Sequence, residues 1–461
     1  MEEKIPVMRK KLKATPPARL IVISFFLVIV AGTVLLALPV CARNGWGTCF
    51  LDALFTATSA TCVTGLVVFD TWRHWNAFGQ VVILLLIQVG GLGLVTFTTG
   101  FTLLMKRRLG LREMLLAEEN TSGGPIGIIH LIRMILTFTF SCETIGAMLL
   151  MLRFVPKFGL HGVWVSVFTS VSAYCNAGFD IFGFELENGS LMNYAGDPLV
   201  CLTVGALIVT GGLGFVVISN LYRARIRPRL FRQAPSRMNF HSTIVLTTTG
   251  ILITAGTLLF FACEYDNTLK KLDFGGKVLA SLFQSISART AGFSTINIAE
   301  ERDFTKIITV LLMFIGASPA STGGGIKTTT FVVLAATVLS ALRGREETVI
   351  LRRRIDKFVV YRSLAIVSIA LLLIVTTTGT ILACNSSTTG VDALFEAASA
   401  FGTVGLSANV TPTLTQISKT VVILTMFIGR VGPVSLGLAI TLHRGRNAGS
   451  AVLPEGKIIV G

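Results

Sequence analysis

Four short segments of this chain carry residue types that can replace the water around a metal cation without using a carboxylate. They are Cys62-Val63-Thr64-Gly65, Cys175-Asn176-Ala177-Gly178, Arg289-Thr290-Ala291-Gly292 and Gly402-Thr403-Val404-Gly405. The closing glycines are 113, 114 and 113 residues apart, and a Ser-Ala pair precedes each segment: Ser59-Ala60, Ser172-Ala173, Ser287-Ala288 and Ser399-Ala400. A dehydrated cation inside a bilayer needs a ring of oxygens, and backbone carbonyls supply one if the chain turns them toward a common axis. Glycine permits the positive φ that such a turn requires and puts no Cβ near the ion. Close helix packing is the ordinary use of membrane glycines, and it accounts for the patches Gly90–Gly93 and Gly211–Gly214. It does not account for four copies in register.

The elements that must hold these segments are membrane elements. Of 461 residues, 52% are apolar and only 14% charged, with mean hydropathy +0.74. Soluble domains carry about 25% charge, so a soluble or disordered chain is excluded. Eight apolar runs can span about 30 Å of hydrocarbon: 20–40, 79–104, 127–152, 198–219, 243–263, 306–340, 359–383 and 417–442. Between the members of each successive pair lies a shorter segment, 50–61, 164–174, 277–288 or 391–401. These are too short to cross, and each reads as a re-entrant helix shielded by protein, its partly negative C-terminus aimed at the glycine segment. The expected units are a cytoplasmic N-terminus 1–19, repeats at 20–104, 105–219, 220–340 and 341–442, and a cytoplasmic C-terminus 443–461.

The charge of +16 fits this topology. Basic residues number 26 on the side holding both termini and nine on the other, with five inside spans. By the positive-inside rule both termini are cytoplasmic, and the basicity needs no nucleic acid. The N-terminal run has no small-residue cleavage site and reads as a retained span. The basic loops 220–242 and 341–362 could dock a partner or anionic lipid.

The sixth run cannot be one helix. It contains Gly316-Ala317-Ser318-Pro319-Ala320-Ser321-Thr322-Gly323-Gly324-Gly325-Ile326-Lys327; the proline and three glycines must break it. A phosphate-binding P-loop is rejected because Ile326 separates Gly325 from Lys327 and no strand precedes. Arg430 and Lys327 are charges at membrane depth, which is costly and usually functional. Arg289 reads as bracing its segment through an acidic neighbour, and Glu143 stands in the third span without an identified partner. The eight cysteines suggest no disulfide framework, with a Cys41–Cys49 pair as the exception to test; the five histidines have no metal spacing.

At these residues the sequence resembles the Trk/Ktr/HKT superfamily of potassium transporters, over about 20–442. Within it the start at the first span looks more like the bacterial KtrB membrane subunit than TrkH. The resemblance implies an all-α polytopic membrane protein with four fused M1–P–M2 repeats in pseudo-fourfold arrangement around one pore. It implies that the four segments form a selectivity filter whose carbonyls bind K⁺, with glycine at all four positions favouring potassium. It implies that 316–325 is a gate below the filter, and that Arg430 is the basic residue of the last inner helix near the pore. It further implies a homodimer in the inner membrane on a cytosolic ring of RCK/KTN regulatory subunits, which alone would bind nucleotide. No covalent cofactor is expected; Na⁺ as an activator stays open. Two other readings stand beside this one: a sodium-permeable or sodium-coupled member of the family, and an intramembrane lipid-phosphate enzyme. The enzyme would need clustered Asp, Glu or His, which the chain lacks, so a non-enzyme is expected.

Overall fold

A computed structural model describes residues 17–93, 125–187, 189–226 and 237–432. Four units follow one another, each built from an outer helix, a short helix that stops within the protein, a glycine segment and an inner helix. The outer helices are α1 (Pro17–Ala37), α4 (Pro125–Phe158), α8 (Phe240–Glu264) and α12 (Lys357–Cys384); the short helices are α2 (Phe50–Thr61), α5 (His161–Tyr174), α9 (Phe274–Ser287) and α13 (Gly390–Gly402). The inner helices are α3 (Ala77–Leu92), α6 (Pro198–Leu213) continued by α7 (Phe215–Leu221), α10 (Asp303–Phe314) continued after an interruption by α11 (Thr328–Leu342), and α14 (Gln416–Val431). A two-residue hairpin, β1 (Val349–Ile350) with β2 (Arg353–Arg354), lies in the basic connection before α12.

The outer helices are apolar on nearly every face, and α4, α8 and α12 are long and apolar enough to cross a membrane while remaining largely uncovered by protein. Such a surface is stable only against lipid. The short helices are buried instead. Each carries a phenylalanine four residues before its serine: Phe55, Phe168, Phe283 and Phe395, none more than 1% exposed. Each such burial stabilises by roughly 1.5–3 kcal/mol. Local caps start several elements: Asp273 accepts from Gly276 N at 3.0 Å, Asp197 from Leu199 N at 3.0 Å and Asn76 from Gly79 N at 3.0 Å.

The repeats interlock in a closed cycle. Within each unit the outer helix packs on its own short helix, and each inner helix packs on the short helix of the next unit: α3 on α5, α6 on α9, α10 on α13 and α14 on α2. The last contact joins the end of the chain to its beginning.

The inner helices differ from the expected spans. The run 198–219 is bent by 99° at Gly214, and 79–104 and 417–442 leave regular helix at Gly93 and Gly432, beyond which they lie outside the described residues. Gly93, Gly214 and Gly432 have φ of +75°, +86° and +88°, which no continuous helix accommodates. So the sixth span is not alone in being interrupted: the second inner helix breaks at Gly214 as well, and the first and fourth leave regular helix at a positive-φ glycine. Cys41 and Cys49 are free thiols, the first buried and the second exposed, which corrects the pairing considered above. Residues 94–124, which hold most of the 105–126 loop, and the C-terminus from 433 lie outside the described residues, as do 1–16, 188 and 227–236.

Candidate functional site

The four glycines meet in a ring. Gly65, Gly178, Gly292 and Gly405 have φ of +90°, +68°, +81° and +94°. A Cβ on Gly65 would lie 2.4 Å from the carbonyl oxygen of Ala177, one on Gly178 2.6 Å from that of Ala291, one on Gly292 2.3 Å from that of Val404, and one on Gly405 2.3 Å from that of Thr64. Each glycine therefore abuts the carbonyl just before the next unit's glycine, and the fourth returns to the first. Any side chain would push this ring apart. The side chains of the same segments turn into the protein: Cys62, Val63, Thr64, Cys175, Asn176, Ala177, Ala291, Thr403 and Val404 are fully buried and Thr290 nearly so. That leaves the axis to backbone, with no carboxylate in it.

The Ser-Ala pairs explain how the segments hold this shape. Ser59 Oγ accepts from Gly65 N at 3.1 Å and Ser399 Oγ from Gly405 N at 3.0 Å, while Ser172 Oγ donates to Phe179 O at 2.7 Å and Ser287 Oγ to Phe293 O. In units 1, 2 and 4 the residue two before the glycine is left-handed: Val63, Asn176 and Thr403, with φ of +57°, +59° and +50°. Thr290 is not, because unit 3 has one residue fewer between its serine and its glycine. The fourfold pattern is thus broken in the sequence itself, by one residue.

The segment 315–327 interrupts the third inner helix. It folds on itself through a parallel bridge between Ile315 and Ile326. It is tied directly to units 2 and 4, and to unit 1 only through Arg430. Ser318 N and Thr322 N donate to Gly212 O and Gly211 O at 3.1 and 3.3 Å, Phe215 N donates to Ala320 O at 2.9 Å, and Gly324 N donates to Thr403 Oγ1 at 3.0 Å. The amide of Asn176 lies 3.0 Å from Thr322 Oγ1. Arg430 bridges two partners, donating to Thr322 O and to Gly90 O of the first inner helix. Lys327 Nζ donates to Gly323 O at 2.8 Å.

Arg289 departs from the sequence reading. It makes no ion pair with a carboxylate among the described residues; its Nη2 lies 3.5 Å from Gly316 O, and Nε is buried without a partner. It is turned toward Gly316, at the start of the interrupting stretch, so its side chain is no ligand on the axis. Glu143 acquires a partner: Gln88 Nε2 donates to its Oε1 at 3.0 Å, joining the second outer helix to the first inner one.

Two ion pairs went unseen in the sequence. Lys306 Nζ lies 2.7 Å from Asp392 Oδ1, and Lys419 Nζ lies 2.7 Å from Asp52 Oδ1. In both, a lysine on an inner helix meets the aspartate in the first turn of the next unit's short helix, where a negative charge also suits the helix dipole. The signal was present: the repeated Asp-Ala-Leu-Phe at 52–55 and 392–395, and lysines within apolar runs. Above the ring is a cavity of about 90 Å³ lined by all four glycines and by Asp70, Asp180, Ser407 and Thr411, among others. Burial, and then the Asp70 carboxylate, push the Asp180 carboxyl up to about 7.

Comparison with known proteins agrees with this architecture. The chain matches the TrkH family, described as cation transport protein, over residues 10–449. It is 40% identical over 456 residues to Ktr system potassium uptake protein B of Bacillus subtilis, covering 98% of both chains. It is 36% identical to the potassium/sodium uptake protein NtpJ of Enterococcus hirae, covering 99% of this chain and 100% of that one. Among solved structures, the crystal structure of the potassium transporter TrkH from Vibrio parahaemolyticus superposes with a TM-score of 0.70 at 18% identity, covering 94% of this chain and 86% of the other.

Proposed function

This chain belongs to the TrkH family of cation transport proteins, and on that premise we propose that it takes up potassium across the bacterial plasma membrane. It is a transporter, not an enzyme. K⁺ sheds its water at the ring of Gly65, Gly178, Gly292 and Gly405 and is held by the carbonyls of the four glycine segments. The membrane potential drives it inward with about 2.3 kcal/mol per 100 mV for each charge. The observation that carries this reading is the closed ring, in which every glycine touches the neighbouring unit's carbonyl. Such contact fixes the carbonyls at one spacing, and a fixed spacing discriminates between ions.

The segment 316–325 acts as the gate. On this reading it closes the path below the ring, and what supports the reading is that it is fastened by Arg430, Asn176 and Thr403, bonds that can be exchanged without unfolding a helix. Both termini face the cytoplasm, and the chain works as a homodimer on a cytosolic nucleotide-binding ring, a reading supported by the "Ktr system" name of its relative. The hairpin Val349–Arg354 offers that ring a basic contact.

Sodium permeation is the second reading, favoured by the potassium/sodium name of the Enterococcus relative. The test is growth of a potassium-uptake-deficient bacterium at low external potassium, with and without a regulatory subunit. Rescue by the wild-type chain and not by Gly65→Ser supports potassium uptake through the ring. Rescue by neither, with sodium uptake by the wild type, overturns it in favour of sodium.

A further inference from the structure

Behind the fourth glycine segment lies a carboxylate that the ion path just described does not use. Glu396 is wholly buried on α13, three residues before Ser399. The matching positions before Ser59, Ser172 and Ser287 are Thr56, Thr169 and Gln284, so only the fourth unit places a carboxylate there. Its partners are hydroxyls: Ser407 Oγ donates to Oε2 at 2.8 Å, and Thr411 Oγ1 donates to Oε1. Among the described residues it has no ion pair with a basic side chain.

Ser407 and Thr411 both line the outer cavity, beside Gly405. Their oxygens are 3.2 Å apart. A hydroxyl has one proton and two lone pairs, and an ionised carboxylate can only accept. When Glu396 is ionised, both protons are committed inward to it, and each oxygen keeps a lone pair for the cavity and no proton to repel a cation there. Ser407 Oγ also accepts from Thr411 N at 3.5 Å. Neither threonine nor glutamine could take both protons on separate oxygens. A buried carboxylate without a basic partner is costly, and a cation in the cavity would supply the missing counter-charge.

We propose that Glu396 is a specificity-determining positioning residue, which orients the Ser407 and Thr411 hydroxyls so that their oxygens form a loading position for a dehydrating alkali cation at the outer mouth of the ring. This rests on the transport reading above. It also assigns a role to the departure from fourfold symmetry, since the loading position lies to one side of the axis.

The test is potassium flux into vesicles reconstituted with the full-length chain, measured against external potassium and in competition with sodium. Glu396→Gln keeps the shape and removes one acceptor and the charge. The half-saturating potassium concentration should rise about tenfold, near 1.4 kcal/mol, with maximal flux within about twofold of wild type and stronger sodium competition. Glu396→Asp should recover part of the shift. Ser407→Ala, which leaves the Thr411 contact in place, should shift half-saturation in the same direction and is the variant to read if Glu396→Gln does not fold. An unchanged half-saturation, or a loss confined to maximal flux, overturns the proposal. Wild-type vesicles that pass no potassium overturn the transport reading, and this one with it, and are distinguished from the first failure by the wild-type flux itself.

Discussion

Glycine at 65, 178, 292 and 405 is required twice over, by positive φ and by contact with a neighbouring carbonyl. Gly65→Ser puts a Cβ 2.4 Å from the Ala177 oxygen, so the carbonyls must spread. Potassium-over-sodium selectivity in reconstituted flux should then fall by about an order of magnitude, a loss of ~1.4 kcal/mol in discrimination; an unchanged ratio would remove the ring from the selectivity mechanism. Asp180 is one of two carboxyls at the cavity, with Glu396 behind Ser407 and Thr411, that burial raises to about 7 and that make its mouth sensitive to pH. The Asp180 carboxyl, held near 7 by burial and by Asp70, is neutral in acid and charged above that pH. Because the folded chain holds this proton more tightly than the unfolded one, its contribution to stability is present in acid and lost as pH rises from the usual carboxylate range toward 7. Cation attraction has the opposite sign. Half-saturating potassium should therefore decrease as pH rises through about 7, and Asp180→Asn should make that profile shallower, leaving the part set by Glu396.

At the scale of elements, the short helices are fixed at both ends. Serine hydroxyls hold their C-termini to the glycine segments, and in units 1 and 4 an aspartate in the first turn pairs with a lysine of the preceding unit. Lys306 and Asp392 are mostly buried, with side chains 6% and 19% exposed. Removing one partner strands the other, so Lys306→Met should destabilise by about 3 kcal/mol, whereas Lys306→Met with Asp392→Leu should regain most of it. Thermal unfolding in detergent reads this; equal losses in both variants would mean that packing, not charge, is at issue. The interrupted third inner helix makes a different prediction. Its stretch 315–327 is held to units 2 and 4 by hydrogen bonds and to unit 1 only through Arg430, so deleting part of 318–325 should raise basal flux severalfold. Flux that stays slow and regulated would remove that segment from gating.

At the scale of the molecule, four unequal units close around one axis because each inner helix packs on the next unit's short helix. The cycle places the first and last units side by side, and Lys419 with Asp52 joins residues at opposite ends of the described chain. The inequality of the units has consequences. Unit 3 lacks one residue before its glycine and carries the extended break, and unit 4 alone carries Glu396. The surroundings of the ring therefore differ from side to side, which a fourfold-symmetric assembly cannot offer.

Much of this was written in the sequence. The 113-residue period, the apolar runs and the short segments between them determined the membrane class, the number of units and the glycines at their centre, because periodicity and hydropathy are local properties that survive without coordinates. Pro319 and the glycines of 323–325 likewise announced the broken span. What neighbours what was not legible. Arg289 was expected to meet an acid and meets the carbonyl of Gly316; Glu143 lacked a partner until Gln88 was folded against it; Lys306 and Lys419 were unexplained charges until the next unit brought an aspartate. The positive φ at Gly93, Gly214 and Gly432 was equally hidden, since a glycine that packs and a glycine that breaks a helix look the same in one dimension. Hydrogen bonds and ion pairs act over about 3 Å, between residues that only the closure of the ring brings together, and so the tertiary structure alone decided them.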